Sequence, residues 1–173
     1  EYNLKQEFQD LNICSIIGDV RNRQKLTHVF ETYSPEVVFH AAAYKHVPLM
    51  ELNAIEAIRT NVMGSYNVAS IAAKYKCDRF VFISSDKAVN PTNVMGTTKR
   101  IAELACLYLQ HNSTTKFMIV RFGNVLGSSG SVVPLFKKHI EKGGPVTVTH
   151  PDMKRFFMSI PEATQLVIQA GAL

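Results

Sequence analysis

No apolar run in the 173-residue sequence approaches the roughly 18 residues that a membrane-spanning helix needs, and no charged, apolar and small-residue segment opens it as a secretory signal would. Repeats, low-complexity tracts and evident linkers are lacking too, so the chain reads as one unit. Cysteine is scarce: Cys14, Cys77 and Cys106 are odd in number, far apart and set among apolar neighbours. That excludes a disulfide framework or a metal site and reads as three reduced core residues of a cytoplasmic protein. Charged residues make up only 19% against 46% hydrophobic, with a mean hydropathy of +0.01, a balance that excludes disorder. The formal net charge of +5 raises nucleic acid as a partner, but Lys and Arg are dispersed and the densest group, Lys74, Lys76 and Arg79, is short. A nucleic-acid interface concentrates its cations or carries a motif, so this is the weakest reading, and a phosphorylated small-molecule substrate fits the surplus equally well.

What is present is an alternation of short β-rich runs with helical patterns, which predicts an α/β fold with a parallel sheet covered by helices. Leu4, Phe8 and Leu11 fall at helical spacing, residues 13–17 read as a strand entering the turn Gly18-Asp19, and Leu26, Val29 and Phe30 mark a helix that Pro35 breaks. Residues 37–40 read as a strand buried on both faces, followed by a long helix over 53–74 interrupted near Gly64. Strands at 80–84 and 118–122 flank a helix at 95–111; a glycine-serine loop, a helix at 134–142 and a short β segment at 146–149 come next. Ser159-Ile160-Pro161-Glu162 has capping-box spacing, so a last helix is predicted to reach about residue 170.

In such a sheet ligands bind beyond the carboxyl ends of the strands, and those positions are unusually polar here. After 13–17 come Asp19 and Val20; after 37–40, Ala41, Ala42, Ala43, Tyr44, Lys45 and His46; after 80–84, Ser85, Asp86 and Lys87; after 118–122, Gly123 and Asn124. Small alanines let a flat cofactor approach the backbone, although simple helix-start packing is the bland alternative. Asp86 beside Lys87 places an acid and a base at one strand end; alone, the pair would read as a solvated salt-bridged turn. Asp19 is either a ligand contact or only the N-cap of the following helix, and Asn61 reads as a brace of the interrupted helix.

Ser-Ser-Asp-Lys after a strand, a short loop, then a helix with Met95 four residues before Lys99 resembles the extended short-chain dehydrogenase/reductase pattern, in which tyrosine normally stands at the Met95 position. More closely, HAAAYKHVPLME from His40, DKAVNPTNVMGTTKR from Asp86, RFGNVLGSSGSVVPLF from Arg121 and HPDMKRFFMSIPEA from His150 resemble the CapD-type nucleotide-sugar 4,6-dehydratases of bacterial polysaccharide biosynthesis. The four motifs cover nearly the whole chain in order, and Ser85, Met95 and Lys99 match the Ser-Met-Lys branch.

The resemblance implies an incomplete Rossmann-like, doubly wound parallel sheet, an NAD or NADP cofactor, and a UDP-sugar substrate, usually UDP-N-acetylglucosamine. It implies oxidation at C4, loss of water across C5 and C6, and return of the hydride to C6. It assigns Asp86 as the acid for the C6 hydroxyl and Lys87 as the base for C5, with Ser85, Met95 and Lys99 completing the catalytic set. A lysine is a base only when neutral and a carboxyl an acid only when protonated, so both need burial against substrate. Methionine accepts no proton, which leaves Ser85, Lys99 or a water chain to take the one from the C4 hydroxyl. Asp19, Val20, Ala41, Ala42, Ala43, Ser84 and Lys99 would hold the cofactor; Lys45, His46, Asn124, Ser128 and Ser129 would hold the sugar or its diphosphate.

The rivals are a nucleotide-sugar 4-epimerase of the same fold, which has no need of the Asp86-Lys87 pair, and a non-catalytic nucleotide-binding module. A homo-oligomer is expected. Residues 1–173 read as a single partial domain truncated at both ends, with the glycine-rich dinucleotide fingerprint, two strands and the membrane helices of the long family members expected upstream of Glu1. On that reading the 173-residue piece is a cytoplasmic part, inactive alone. Calorimetry with NAD and NADP is then expected to show no micromolar binding, and micromolar binding would make the glycine turn dispensable.

Overall fold

The structure, a computed structural model, describes residues 11–128, 132–148 and 150–173. In chain order these form α1 (Arg23–Tyr33), β1 (Val37–His40), α2 (Val47–Leu52), α3 (Ala54–Ala57), a π-helical segment (Ile58–Gly64), α4 (Ser65–Lys74), β2 (Arg79–Ile83), a 3-10 turn (Asp86–Ala88), α5 (Val94–His111) and β3 (Lys116–Val120). The pair β4 (Asn124–Val125), α6 (Val132–Glu141), β5 (Phe157–Met158) and α7 (Ile160–Ala172) complete it.

The central sheet is parallel throughout, in the order β1-β2-β3, with Val37 opposite Arg79 and Arg79 opposite Lys116. All three strands therefore present their carboxyl ends on one edge, as expected of a Rossmann-like arrangement. Side-chain alternation divides the apolar residues between two layers. Phe80, Phe82 and Phe117 pack with Phe30 of α1, Val68, Ile71 and Ala72 of α4, and Ala102 and Cys106 of α5. On the opposite face Val81 and Phe39 meet α7, where a side chain at Gly171 would come within 3.0 Å of the Phe39 ring. Phe80 and Phe82 are wholly buried, which explains why the β2 run is continuously apolar.

Local signals set the helix ends. Asn22 caps α1 by accepting from the Lys25 N-H at 3.0 Å, and Ser34, at φ 43, ends the helix before Pro35. Asp19 is therefore not the N-cap. Asn93 caps α5 through the Gly96 N-H, and the Ser159-Glu162 capping box opens α7 as its spacing predicts. The interruption near Gly64 is a seven-residue π segment, and the helical stretch begins earlier than predicted, at Val47 behind Pro48, with a break at Asn53. Gly64 has a steric reason: a Cβ there would lie 2.6 Å from Val20 Cγ2.

Further expectations are corrected. The strand at 37–40 is not buried on both faces, since Val37 and Phe39 stay exposed. Residues 13–17 form no strand: among the described residues no strand lies beside them, and Ile13, Ile16 and Ile17 stay exposed. Residues 146–148 are irregular, while β4 and β5 pair with each other instead, over dipeptides too short to show periodicity. Cys14 is exposed, its sulfur 3.0 Å from the Tyr33 hydroxyl, whereas Cys77 and Cys106 are buried thiols as read. The helix suggested by Leu4 and Phe8 lies outside the described residues.

Truncating Phe80 to alanine removes a wholly buried ring from the centre of the sheet and should cost about 3–5 kcal/mol of unfolding free energy. The denaturant midpoint checks this; a loss below about 1 kcal/mol would mean that the core collapses around the vacancy.

Candidate active site

The aligned carboxyl ends of β1, β2 and β3 open into a cavity of about 610 Å³. Its wall includes three loops and one helix, with Ala41, Ala43, Lys45 and His46 after β1; Ser84, Ser85 and Lys87 after β2; Asn124 and Ser128 beyond β3; and Met95 with Lys99 on α5, while Val132 and Val133 of α6 and Phe157 of β5 add apolar surface. The residues of the three loops and of α5 are those that the sequence predicted for the site, brought together from four segments. Ala42 does not line the cavity because the chain alternates there. Asp19 and Val20 do not line it either; the Asp19 carboxylate is exposed and grips Arg21, whose guanidinium hydrogen bonds hold it down to about 2. Ser129 lies outside the described residues.

Each wall is fixed by identifiable bonds. The loop after β1 is held by Asn61, buried in the π segment: its carbonyl accepts from the Tyr44 N-H at 2.8 Å, and its amide donates to the Tyr44 carbonyl at 3.0 Å and to Thr98 Oγ1 at 3.0 Å. Asn61 is the predicted brace, and it anchors the loop as well as the helix. The turn after β2 is closed by Ser85, whose Oγ accepts from the Lys87 N-H at 3.2 Å and donates to Asp86 Oδ1 at 3.1 Å. Lys87 Nζ bridges Asp86 Oδ1 at 3.0 Å and Asn124 Oδ1 at 3.3 Å, coupling this turn to the β4 segment. Asp86 does not line the cavity but sits directly behind Lys87.

Lys99 is the electrostatically unusual member. It is 7% exposed, its Nζ donates to the Ile83 carbonyl at 2.7 Å, and the ammonium stands 4.7 Å from the centre of the Phe82 ring. Burial pulls it down from 10.5 to about 8, with the Glu103 carboxylate opposing the shift. His40, between Phe80 and Phe82 and hydrogen-bonded to Ser65 at 2.9 Å, falls to about 4 through burial first and the Lys99 charge second. It is therefore neutral at physiological pH and adds no second charge beside Lys99. Met95 is 4% exposed, packed on Met50 and Ala57, with no group that exchanges a proton.

The Ser84 hydroxyl is turned from the cavity to donate to Glu103 at 2.5 Å, so only its backbone is left to a cofactor. Glu103 itself escaped the sequence reading. A glutamate flanked by Arg100 on a helix normally signals a solvated ion pair; the available sign was its position four residues after Lys99, on the same helix face.

Small alanines, an open cavity and a buried cation at its floor fit the nicotinamide-ribose end of a dinucleotide. Among the described residues no three His, Cys, Asp or Glu side chains gather as a metal site, and no helix is long and apolar enough to cross a membrane.

The fold and cavity thus define a Rossmann-like parallel α/β architecture, and comparison with known proteins specifies the family. The family model described as "Polysaccharide biosynthesis protein" matches residues 1–173, and the chain belongs to that family. It is 62% identical over 157 residues to the probable polysaccharide biosynthesis protein EpsC of Bacillus subtilis, covering 91% of this chain and 26% of that protein. It is 56% identical to the capsular polysaccharide biosynthesis protein CapD of Staphylococcus aureus, covering 99% and 30%, and 43% identical to a UDP-glucose 4-epimerase of Rickettsia canadensis, covering 89% and 46%. Pen from Bacillus thuringiensis superposes with a TM-score of 0.90 at 43% identity, over 99% of this chain and 53% of that one. The dTDP-glucose 4,6-dehydratase DesIV of Streptomyces venezuelae, solved with NAD and DAU bound, shares the fold with a TM-score of 0.86 at 19% identity, over 98% and 58%. The chain spans about half the length or less of the curated relatives it matches.

Gly96 supplies a sharp test of how the site is assembled. A Cβ at this position would collide with the Lys87 carbonyl oxygen, so α5 and the Asp86–Ala88 turn touch only because residue 96 is glycine. Gly to Ala inside a helix normally stabilises by about 1 kcal/mol. Gly96→Ala should instead lower the melting temperature, and a raised one would show that the turn moves aside without cost.

Proposed function

We propose that the full-length protein is an NAD- or NADP-dependent nucleotide-sugar 4,6-dehydratase acting on a UDP-sugar, UDP-N-acetylglucosamine being the first candidate, in bacterial polysaccharide synthesis. The observation that carries this is the Asp86-Lys87 pair after β2, with Lys87 on the cavity wall and Asp86 bonded to it at 3.0 Å. Family membership and the likeness to CapD and EpsC support the pathway.

A bound dinucleotide supplies hydride exchange at C4 and C6 of the sugar. The chain's own residues supply the rest. As an ion pair, Asp86 and Lys87 are each in the wrong state for elimination, because the base is protonated and the acid is not. Moving one proton from Lys87 Nζ to Asp86 Oδ1 corrects both at once. A sugar closing the cavity removes water from around the pair and favours that neutral form, since a charge pair is costly in a low dielectric. Lys87 then takes the C5 proton, and Asp86, which does not line the cavity in this structure, turns from behind Lys87 to deliver its own to the departing C6 oxygen. Asn124 Oδ1 holds Nζ on the cavity side while this happens. Lys99 would hold the cofactor ribose and lend positive charge near the oxidised carbon, and Met95 would give an apolar wall.

The second reading, a 4-epimerase, is favoured by the Rickettsia relative. The two part on mass: a dehydratase yields a 4-keto-6-deoxy product lighter by one water, whereas an epimerase leaves the mass unchanged. Incubation of the full-length enzyme with UDP-N-acetylglucosamine decides between them. Asp86→Asn and Lys87→Ala should each abolish most dehydration while cofactor binding stays near normal; wild-type rates in both variants would refute the assignment.

The role of Lys99 has a pH signature. Its folded value of about 8 lies below the ordinary 10.5, so the ammonium persists below pH 8 and is lost as pH rises through it. Turnover should fall above about pH 8, and Lys99→Arg, which stays charged, should remove that limb. Met95→Leu, which keeps the packed volume, should cost within about tenfold, against about 10²–10⁴ for Lys99→Ala. The reverse order would overturn this division of roles.

A further inference from the structure

Glu103 is wholly buried, yet its carboxylate is held by three polar side chains. Its carboxylate accepts from Ser84 Oγ at 2.5 Å, from Arg121 Nε at 2.8 Å and Nη2 at 2.5 Å, and from Arg100 Nη1 at 2.9 Å. Ser84 closes β2, Arg121 follows β3, and Glu103 itself stands on α5 one turn beyond Lys99. One carboxylate thus joins two strand ends to the helix that carries Met95 and Lys99.

We infer that Glu103 is a positioning residue for the candidate active site: it clamps the ends of β2 and β3 to α5 and supplies the buried negative charge that keeps Lys99 an ammonium. This rests on the reading of Lys99 as the cofactor-facing cation. Buried carboxylates retained at a desolvation cost need a reason, and hydrophobic packing would hold three elements together as well. The electrostatics of its neighbours provides the reason.

The groups around Lys99 can be taken element by element. From β1 comes His40, neutral at physiological pH; from β2, the Ile83 carbonyl and the Phe82 ring; from the turn after β2, the Lys87-Asp86 pair; from the π segment, the uncharged Asn61, bonded to Thr98 beside Lys99. The loop after β1 contributes Lys45 and His46 across the cavity, and Arg121 beyond β3 is bound to Glu103. On α5 itself, burial pushes the Cys106 thiol up to about 12, so it is uncharged, and Arg100 is bound to Glu103. Glu103 is the buried carboxylate of this set. Three hydrogen-bonding partners outweigh the effect of burial and hold it ionised, so its charge is present wherever Lys99 titrates.

Removing that charge leaves Arg100 and Arg121 uncompensated beside Lys99, so its proton is released more easily. The test is the ¹³Cε resonance of Lys99 in the full-length protein grown on labelled lysine, assigned by its loss in Lys99→Arg. It should titrate near pH 8 in the wild type and about one pH unit or more lower in Glu103→Gln, while Glu103→Asp, which keeps the charge, stays near the wild type. The alkaline limb of turnover should move with it. If Glu103→Gln does not fold, Arg100→Gln removes one counter-cation from the partly exposed side, and Lys99 should titrate higher. An unmoved resonance in the variant that folds overturns the inference. The titration is read without substrate, so an unmoved Lys99 counts against Glu103, whereas absence of dehydrated product from the wild type counts against the proposed reaction.

Discussion

The constraint on which the site depends is the burial of a single ammonium group under the carboxyl ends of a parallel sheet. Lys99 gives up most of its hydration and receives in return the Ile83 carbonyl, the face of Phe82 and the field of Glu103. Each compensating group comes from the backbone or side chains of β2 and α5, so those elements are locked in register by an electrostatic need as well as by packing. His40 follows from the same constraint. A second cation beside Lys99 would be repelled, and an imidazole driven to neutrality by burial can fill the space between Phe80 and Phe82 without adding charge.

The loop after β1 faces a different difficulty, since it must present Ala41 and Ala43 to the cavity while having no sheet partner of its own for Tyr44. Asn61 meets this by pairing with the Tyr44 backbone as another strand would, one acceptor and one donor on the same residue. It can reach because the helix is widened into a π segment at Ile58–Gly64, where side chains are shifted relative to an α-helix. The irregularity is thus the means by which a helix substitutes for a strand.

Most of this was legible in the sequence, and the reasons differ by element. The buried run at 79–83 and the amphipathic α5 announce themselves because their periodicity and length are decided locally. Residues 13–17 have the composition of a strand but no ladder partner among the described residues; a strand is a property of two segments, and one segment cannot report it. The β4-β5 pair is illegible for the same reason: Asn124 and Phe157 are 33 positions apart and only two residues long on each side. At the site, residues near a strand end, such as Ser85, Lys87 and Asn124, come together along one cavity because the parallel topology gathers those ends. Glu103 was not legible in the sequence, because whether a glutamate is solvated or buried depends on Ser84 and Arg121, which arrive from other strands.

The absence of a proton-exchanging group at Met95 then bears on how the two halves of the proposed reaction are supplied with protons. A tyrosine there would add a third titrating group to a cavity wall that already carries Lys99 and Lys87. Methionine, packed on Met50 and Ala57, contributes a soft apolar surface instead. Lys99 is left bonded to a backbone carbonyl that cannot accept its proton permanently, and Lys87 is left with Asp86 alone as its exchange partner. The proposed reaction would thus draw on two sets of protons, one at Lys99 and one shared within the Asp86-Lys87 pair. With methionine at this position the C4 hydroxyl proton falls to Ser85, Lys99 or a water chain, while the elimination half of the proposed reaction draws on the Asp86-Lys87 pair.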